Sequence, residues 1–380
     1  MNATANYRSL LYLIIGLLNI AAFGCQPTVY LMPTPAIMAT GEINPFNINP
    51  NLEESNRVDV LFATNRKPIG GDDSRSYTIF PGDKLRLGIA HFTIGGAVTD
   101  WRQVFELSTS DEDRDRPALH LEDLQELAVV PLDDETAPLP KEVESFAAAV
   151  NDVLADSLDK DIMVYVHGAN SNIYRAAAQA AQYHHFTGRN SMVLAFLWPS
   201  AENLLAYGTD VRHAAKSAPA FKRLITVLND YTTAEYINIL AYSAGSQIAS
   251  PGLAILGQET KGEKRRRLRL GEVYFAGADI GIDTFVENLQ TYLDIPHSVT
   301  LTINSKDTVL AMAEWHHGVS RAGRPRAEDL SPEAAQWART ASAGSGFDII
   351  GVDENTVVGM SSGAHDFWYA HPWISSDVLV

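Results

Sequence analysis

The stretch Ile237 to Gly245 (INILAYSAG) constrains this chain more than any other. An apolar, partly β-branched segment runs straight into a serine flanked by small residues, and a helical pattern follows. A serine between a buried strand and a helix is forced onto a tight turn with a strained backbone, which lifts its hydroxyl above the sheet edge. The turn closes only if the residues two before and two after it are small, here Ala241 and Gly245. The competing reading is that Ser243 is a plain helix N-cap. Pro251 departs from a regular following helix and is expected to kink it.

The surroundings agree with a strand, turn and helix unit. From Lys141 onward, helical patterns near 142–154, 173–185, 202–231 and 285–293 alternate with apolar strands. Those strands are Asp161–Val166, Ser191–Trp198, Ile237–Ala241, Glu272–Ala276, Ser298–Ile303 and a last one at Phe347–Val352. Continuous apolar strands alternating with helices imply a mostly parallel sheet covered on both faces, with any site beyond the strands' carboxyl ends. Ahead of this region, Val58–Thr64, a stretch around Gly88–Ile94, and Val104–Leu107 are expected as early strands.

An activated serine needs a base and an oxyanion hole. In an α/β-hydrolase the chain order is serine, acid, histidine, and the loop after an earlier strand donates one oxyanion N–H. His167, Gly168, Ala169 and Asn170 follow Asp161–Val166 directly, so the N–H groups of Ala169 and Ala244 are the candidate oxyanion donors. His167 there is read as a structural residue bonding backbone. His365 follows the last strand and its loop and is the candidate base; His371 and the pair His316 and His317 compete with it. The acid must hold the imidazole in its productive tautomer. Asp307 follows the strand Ser298–Ile303 and is preferred; Asp279 follows the preceding strand and is the alternative acid, and each is otherwise read as a helix cap. Neither His184–His185 nor His316–His317 belongs to a ligand pattern, so no metal and no cofactor is expected. Trp198, Tyr207, Trp315 and Trp368 are candidates for an apolar acyl pocket, set against ordinary core packing.

Composition bears on partners and on the N-terminus. A formal net charge of -17 disfavours nucleic acid, whose phosphates require a basic field. The run Lys264–Arg267 with Arg269 is read as a solvated helix end or loop. Arg8 precedes the apolar run Leu10–Phe23, then come Gly24 and Cys25, the sole cysteine of the chain, in the layout of a secretory signal. The run is too short and too interrupted for a spanning helix. The order Ala22, Phe23, Gly24, Cys25 resembles the lipobox of bacterial lipoproteins, although Phe23 departs from the usual small residue. That resemblance implies lipidation at Cys25, a membrane anchor and, with Gln26 next, the outer membrane of a Gram-negative cell. The expected organisation is a signal over 1–25, a flexible Pro- and Asn-rich tether over 26–56, and one α/β-hydrolase domain over 57–380.

Taken together, VLFATNR, VYVHGAN, LAFLWPS, ILAYSAGS, FAGADI, INSKD, HHGVSRAG and the closing HDFW resemble a family of bacterial α/β-hydrolases of unknown function. In that family the serine is often preceded by His and followed by Met, where this chain has Tyr242 and Ala244. The resemblance implies a triad of Ser243, Asp307 and His365 and an esterase- or lipase-like activity on a small-molecule or lipid ester. The alternatives are an amidase or acyltransferase with the same triad, or a non-catalytic surface lipoprotein of the same fold.

Overall fold

The computed structural model describes residues 28–71, 75–111, 115–132, 138–344 and 346–379. Cys25 and the apolar run before it lie outside the described residues. Among the described residues no helix is long and apolar enough to cross a membrane.

One sheet organises the chain. Its strands are β1 (Arg57–Ile69), β2 (Ser76–Ile94), β3 (Leu119–Pro131), β4 (Ile162–Val166), β5 (Met192–Phe196), β6 (Ile237–Tyr242), β7 (Leu270–Ala276), β8 (Ser298–Ile303) and β9 (Phe347–Gly351). They lie in the order β3-β2-β1-β5-β4-β6-β7-β8-β9. The first three form an antiparallel meander, and every pair from β1–β5 to β8–β9 is parallel. After β4 the chain steps outward to β5 and returns past β4 to lay down β6, so the order reverses between β4 and β6. That reversal opens a crevice at their carboxyl ends.

The two-residue period of the parallel strands sends alternate side chains into two separate cores. Ile162, Val164, Val166, Ile239 and Ala241 face one, packed under the helices Lys141–Asp156, Tyr207–Tyr231, Ser246–Glu259 and Ile282–Tyr292. Tyr165, Leu240 and Tyr242 face the other, covered by the helix Ile173–Phe186 and by segments from both ends of the described chain. Burial on both faces is why these strands read as unbroken apolar runs. The helix Ser246–Glu259 continues through Pro251.

Three points differ from the sequence reading. Val104–Leu107 is not a strand: it lies in the helix Trp101–Thr109, where Asp100 accepts a hydrogen bond from the Gln103 N–H and the Gln103 side chain accepts one from the Asp100 N–H. Trp101, Val104, Phe105 and Ser108 recur at helical spacing, and the reciprocal cap starts the helix. β3 escapes sequence reading because register shifts at Leu87/Gly88 and His91/Phe92 of its partner break the alternation along a charged edge strand.

The third correction concerns the segment read as a tether. Within it, Leu31, Met32, Met38 and Phe46 are buried. The Met32 N–H donates to Gln182 Oε1 at 3.0 Å, the Ile37 N–H to Ser376 Oγ at 3.1 Å, and Asn49 Nδ2 to the Gly188 carbonyl at 2.9 Å. Its helices, Ala36–Ala39 and Pro45–Ile48, have 4 residues each, too few to produce a readable period. Residues 28–56 are therefore a strap packed on the domain. Phe46 rests edge-on against Trp101 and beside Phe105 and His185. Phe46→Ala should cost about 3–5 kcal/mol of stability in a denaturant titration, whereas a free tether would give no change.

Candidate active site

The parallel register β4–β6 ends with Val166 opposite Ala241, so the two segments that follow, His167–Gly168 and Tyr242–Ser243, emerge side by side. Ser243 opens the turn Ser243–Gly245 and has φ 52°, left-handed for a residue with a side chain. Such a conformation costs about 1–3 kcal/mol and persists only where neighbours enforce it. Here the Ser243 carbonyl accepts from Ser246 Oγ at 2.7 Å and from the Asp279 N–H at 3.1 Å. Gly245 passes so close to β4 that a Cβ on it would stand 2.3 Å from the Val166 carbonyl oxygen. A Cβ on Gly168 would meet Ser243 Cβ at 3.1 Å.

Ser243 Oγ lies 2.8 Å from His365 Nε2, and His365 Nδ1 lies 2.7 Å from Asp307 Oδ2. A carboxylate can only accept, so Nδ1 carries the proton, and the unprotonated Nε2 then accepts the serine hydroxyl. Asp307 is 0% exposed and caps the helix Thr308–His317, its Oδ1 accepting the Leu310 N–H at 2.8 Å. One oxygen of Asp307 thus caps the helix and the other meets His365. The loop bearing His365 is gripped by the same element: Asn304 Nδ2 donates to the Ala364 carbonyl at 2.8 Å, and Thr308 Oγ1 donates to the Gly363 carbonyl at 3.1 Å. The imidazole also packs on the Tyr242 ring, 5.2 Å between centroids.

The alternative acid does not reach His365. Asp279 is buried, and its Oδ1 accepts Arg321 Nε at 2.7 Å while its Oδ2 accepts the Tyr207 hydroxyl at 2.6 Å and Gln247 Nε2 at 3.3 Å. Burial together with this carboxylate raises the Tyr207 phenol far above its ordinary range, so it stays a donor. Nor does Asp279 cap the next helix, whose N-cap is Gly281. Of the competing histidines, His317 Nε2 meets the Tyr207 hydroxyl at 3.1 Å, His316 lies edge-on to the same ring, and His371 Nε2 meets the Val358 carbonyl at 3.2 Å. His185 is buried beneath the other face, its Nε2 at 2.7 Å from Ser108 Oγ, and His184 beside it is half-buried.

His167 is fully buried, stacked on Trp198 with 5.1 Å between centroids, and its Nδ1 bonds the Gly168 carbonyl at 2.8 Å. Two buried charges that sequence reading passed over hold the loop after it. Asp210 Oδ2 accepts the Asn170 N–H and Ser200 Oγ, each at 3.0 Å. Burial pushes this carboxyl up, against the pull of those donors. Arg66 donates to the carbonyls of Ser171 at 3.1 Å and Trp198 at 3.0 Å and to Glu202 at 3.1 Å; burial lowers it to about 10, still cationic near neutrality. Asn170 is held at φ 53°. Arg66 falls within the recognisable VLFATNR string, but nothing in a lone sequence says that it turns inward.

A cleft of about 920 Å³ stands over Ser243, which is 7% exposed at its floor. Ala169 and Asn170 line one wall, Tyr207 and Asp279 a second, and His365 and Tyr369 a third. Of the four aromatic candidates, Tyr207 and Trp315 line this cleft, whereas Trp198 and Trp368 are buried in the two cores. The basic run is spent on local pairs: Arg265 with Asp294, and Arg266 and Arg267 with Glu263.

A serine on a strained turn after the central parallel strand, opposite a histidine delivered after the last strand, is the arrangement of an α/β-hydrolase. The chain belongs to the family described as alpha/beta hydrolase of unknown function (DUF900), whose model matches residues 142–376. No curated protein matches it. Among solved structures it is similar to esterase B from Lactobacillus rhamnosis, crystallised with a tributyrin phosphonate, at 11% identity and a TM-score of 0.32 over 59% of this chain and 74% of that one. It is likewise similar to a lipase-esterase related protein from Clostridium acetobutylicum, at 10% identity and a TM-score of 0.32 over 58% of this chain and 94% of that one.

Burial, reinforced by the nearby Arg66 charge, lowers His167 to about 3, against roughly 6.5 in an unfolded chain. The folded state therefore binds fewer protons between those values, and the stability contributed is intact above about 6.5 and lost as pH falls. Relative to wild type, His167→Gln should lose about 2 kcal/mol less on going from pH 7 to pH 5, read from denaturant midpoints at both pH values; equal losses would refute the assignment.

Proposed function

We propose that this chain is a serine hydrolase that cleaves carboxylic esters through an acyl-enzyme. The observation carrying this reading is the continuous relay from Ser243 Oγ to His365 Nε2 and from His365 Nδ1 to Asp307 Oδ2, at 2.8 and 2.7 Å. Ser243 Oγ attacks the ester carbonyl carbon as its proton passes to His365 Nε2. The new C–O bond leaves a tetrahedral oxyanion, which the N–H groups of Ala169 and Ala244 stabilise from the two turns flanking the serine. Collapse breaks the bond to the leaving alcohol, and His365 returns the proton to that oxygen. Water then enters, gives its proton to His365 and releases the acid by the same steps in reverse.

Asp307, at the start of the helix it caps, holds the Nδ1 proton in place and offsets the imidazolium charge that forms beside it. Anchoring of the Asn170 loop by Asp210 and Arg66 supports a preorganised oxyanion site, because donors that need no reorganisation at the moment of reaction are worth the most. Asp279 serves the cleft wall in this mechanism and takes no proton.

A fluorophosphonate probe should label wild-type protein at Ser243 and leave Ser243→Ala unlabelled. On p-nitrophenyl butyrate, His365→Ala should lower kcat by about 10³–10⁶-fold and Asp307→Asn by about 10⁴-fold. Labelling elsewhere, or full turnover by Ser243→Ala, would end this reading.

A further inference from the structure

The strap and the cleft are neighbours. Residues Thr28 to Pro33 wall a smaller cavity whose other side is made by Arg175, Gln179 and Tyr369, and these same three side chains also line the cleft over Ser243. The described chain therefore begins beside the mouth of the candidate active site. Three residues further back is Cys25, so the chain between that position and Thr28 spans at most about 10 Å.

The mouth carries large apolar side chains where it meets solvent, beside the exposed His316 and Asp366. Leu205 is 90% exposed, Trp315 87% and Met312 63%, and all three line the cleft. Tyr30, on the strap, is 58% exposed. Large apolar side chains grouped around one opening and left in water mark a surface that something else covers. Trp and Tyr in such a group suit the boundary between headgroups and acyl chains, where a ring finds apolar contact and its polar atom stays wet.

From these two observations we propose that Cys25 anchors the chain to a lipid bilayer, that the cleft mouth docks on that bilayer, and that the ester it cleaves is a lipid drawn from it. The occupant is a bilayer, since Thr28, beside this opening, is only three residues along the chain from Cys25, where the N-terminal reading puts a lipid anchor. A chain of net charge -17 gains nothing from long-range attraction to anionic headgroups, so attachment and apolar contact must bring it down. With Ser243 at the cleft floor, a lipid has to rise from the bilayer past Leu205, Met312 and Trp315, which keep its chains out of water on the way. The substrate class rests on the ester-hydrolase reading above; the docking does not.

The full-length chain, reconstituted in vesicles of phosphatidylethanolamine and phosphatidylcholine brominated near the top of its acyl chains, separates the two. Bromine should quench a component of tryptophan emission that Trp315→Phe removes and Trp373→Phe leaves. Trp373, 62% exposed, lies on the helix that walls the cavity at the opposite strand ends and serves as the control. Quenching unchanged by Trp315→Phe overturns the docking. Separately, Trp315→Asp should lower fatty-acid release from vesicles at least tenfold relative to its cleavage of p-nitrophenyl butyrate; an unaltered ratio overturns the lipid substrate. If wild-type protein cleaves neither, the ester-hydrolase reading fails, and the quenching result still decides the docking.

Discussion

The contact on which the site depends is the one between the turn after β6 and the end of β4. Gly245 leaves no room for a Cβ beneath the Val166 carbonyl, and Ser243 is held left-handed just before it. A strained residue is retained only if relaxing it would cost more than the strain, and here relaxation would pull the helix Ser246–Glu259 away from the strands it covers. The parallel register is equally demanding. Because Val166 and Ala241 end opposite one another, Ser243 and the loop beside it are set by the sheet and not by the loops themselves.

Asp307 solves a separate problem, that of placing a carboxyl group where it is fully buried. A buried carboxylate is costly unless its lone pairs are used. One oxygen accepts a helix N–H and the other the imidazole, so the same residue starts the helix Thr308–His317 and orients His365. That helix then returns to the His365 loop through Thr308, and the strand before it through Asn304. Asp279, one strand earlier, has its oxygens filled by Arg321, Tyr207 and Gln247, which leaves it nothing to offer an imidazole.

The sequence makes these differences partly legible. Ser243, Asp307 and His365 each follow a parallel strand, the one before Ser243 being an unbroken buried apolar run and the one before His365 a half-exposed edge strand, and the chain order supplies the rest. What separates Asp307 from Asp279 is a set of partners drawn from distant segments, and no local pattern encodes it. Asp210 and Arg66 are invisible for the same reason: a charged residue reads as solvated until the fold surrounds it. The strap is misread because Pro and Asn signal a linker, while its anchors, Leu31, Met32, Met38 and Phe46, are too few and too irregular to form a period. The helix Trp101–Thr109 is misread as a strand for want of counting its spacing across the cap at Asp100.

The buried charges sort themselves by what they grip. Arg66, on β1, reaches the Ser171 loop after β4 and Trp198 after β5, so one guanidinium ties three neighbouring strands together beyond their paired residues. Asp210, in the first turn of the helix Tyr207–Tyr231, pulls Asn170 and Ser200 toward that helix. Apolar packing could fill the same space with less desolvation, but it is non-directional and would let the loop slide. An oxyanion site tolerates no such movement, since its donors must aim at an oxygen that exists only in the transition state. On this argument the desolvation of Arg66 and Asp210 is the cost of a fixed backbone beside Ser243, and it is concentrated at the one strand end where the sheet order reverses.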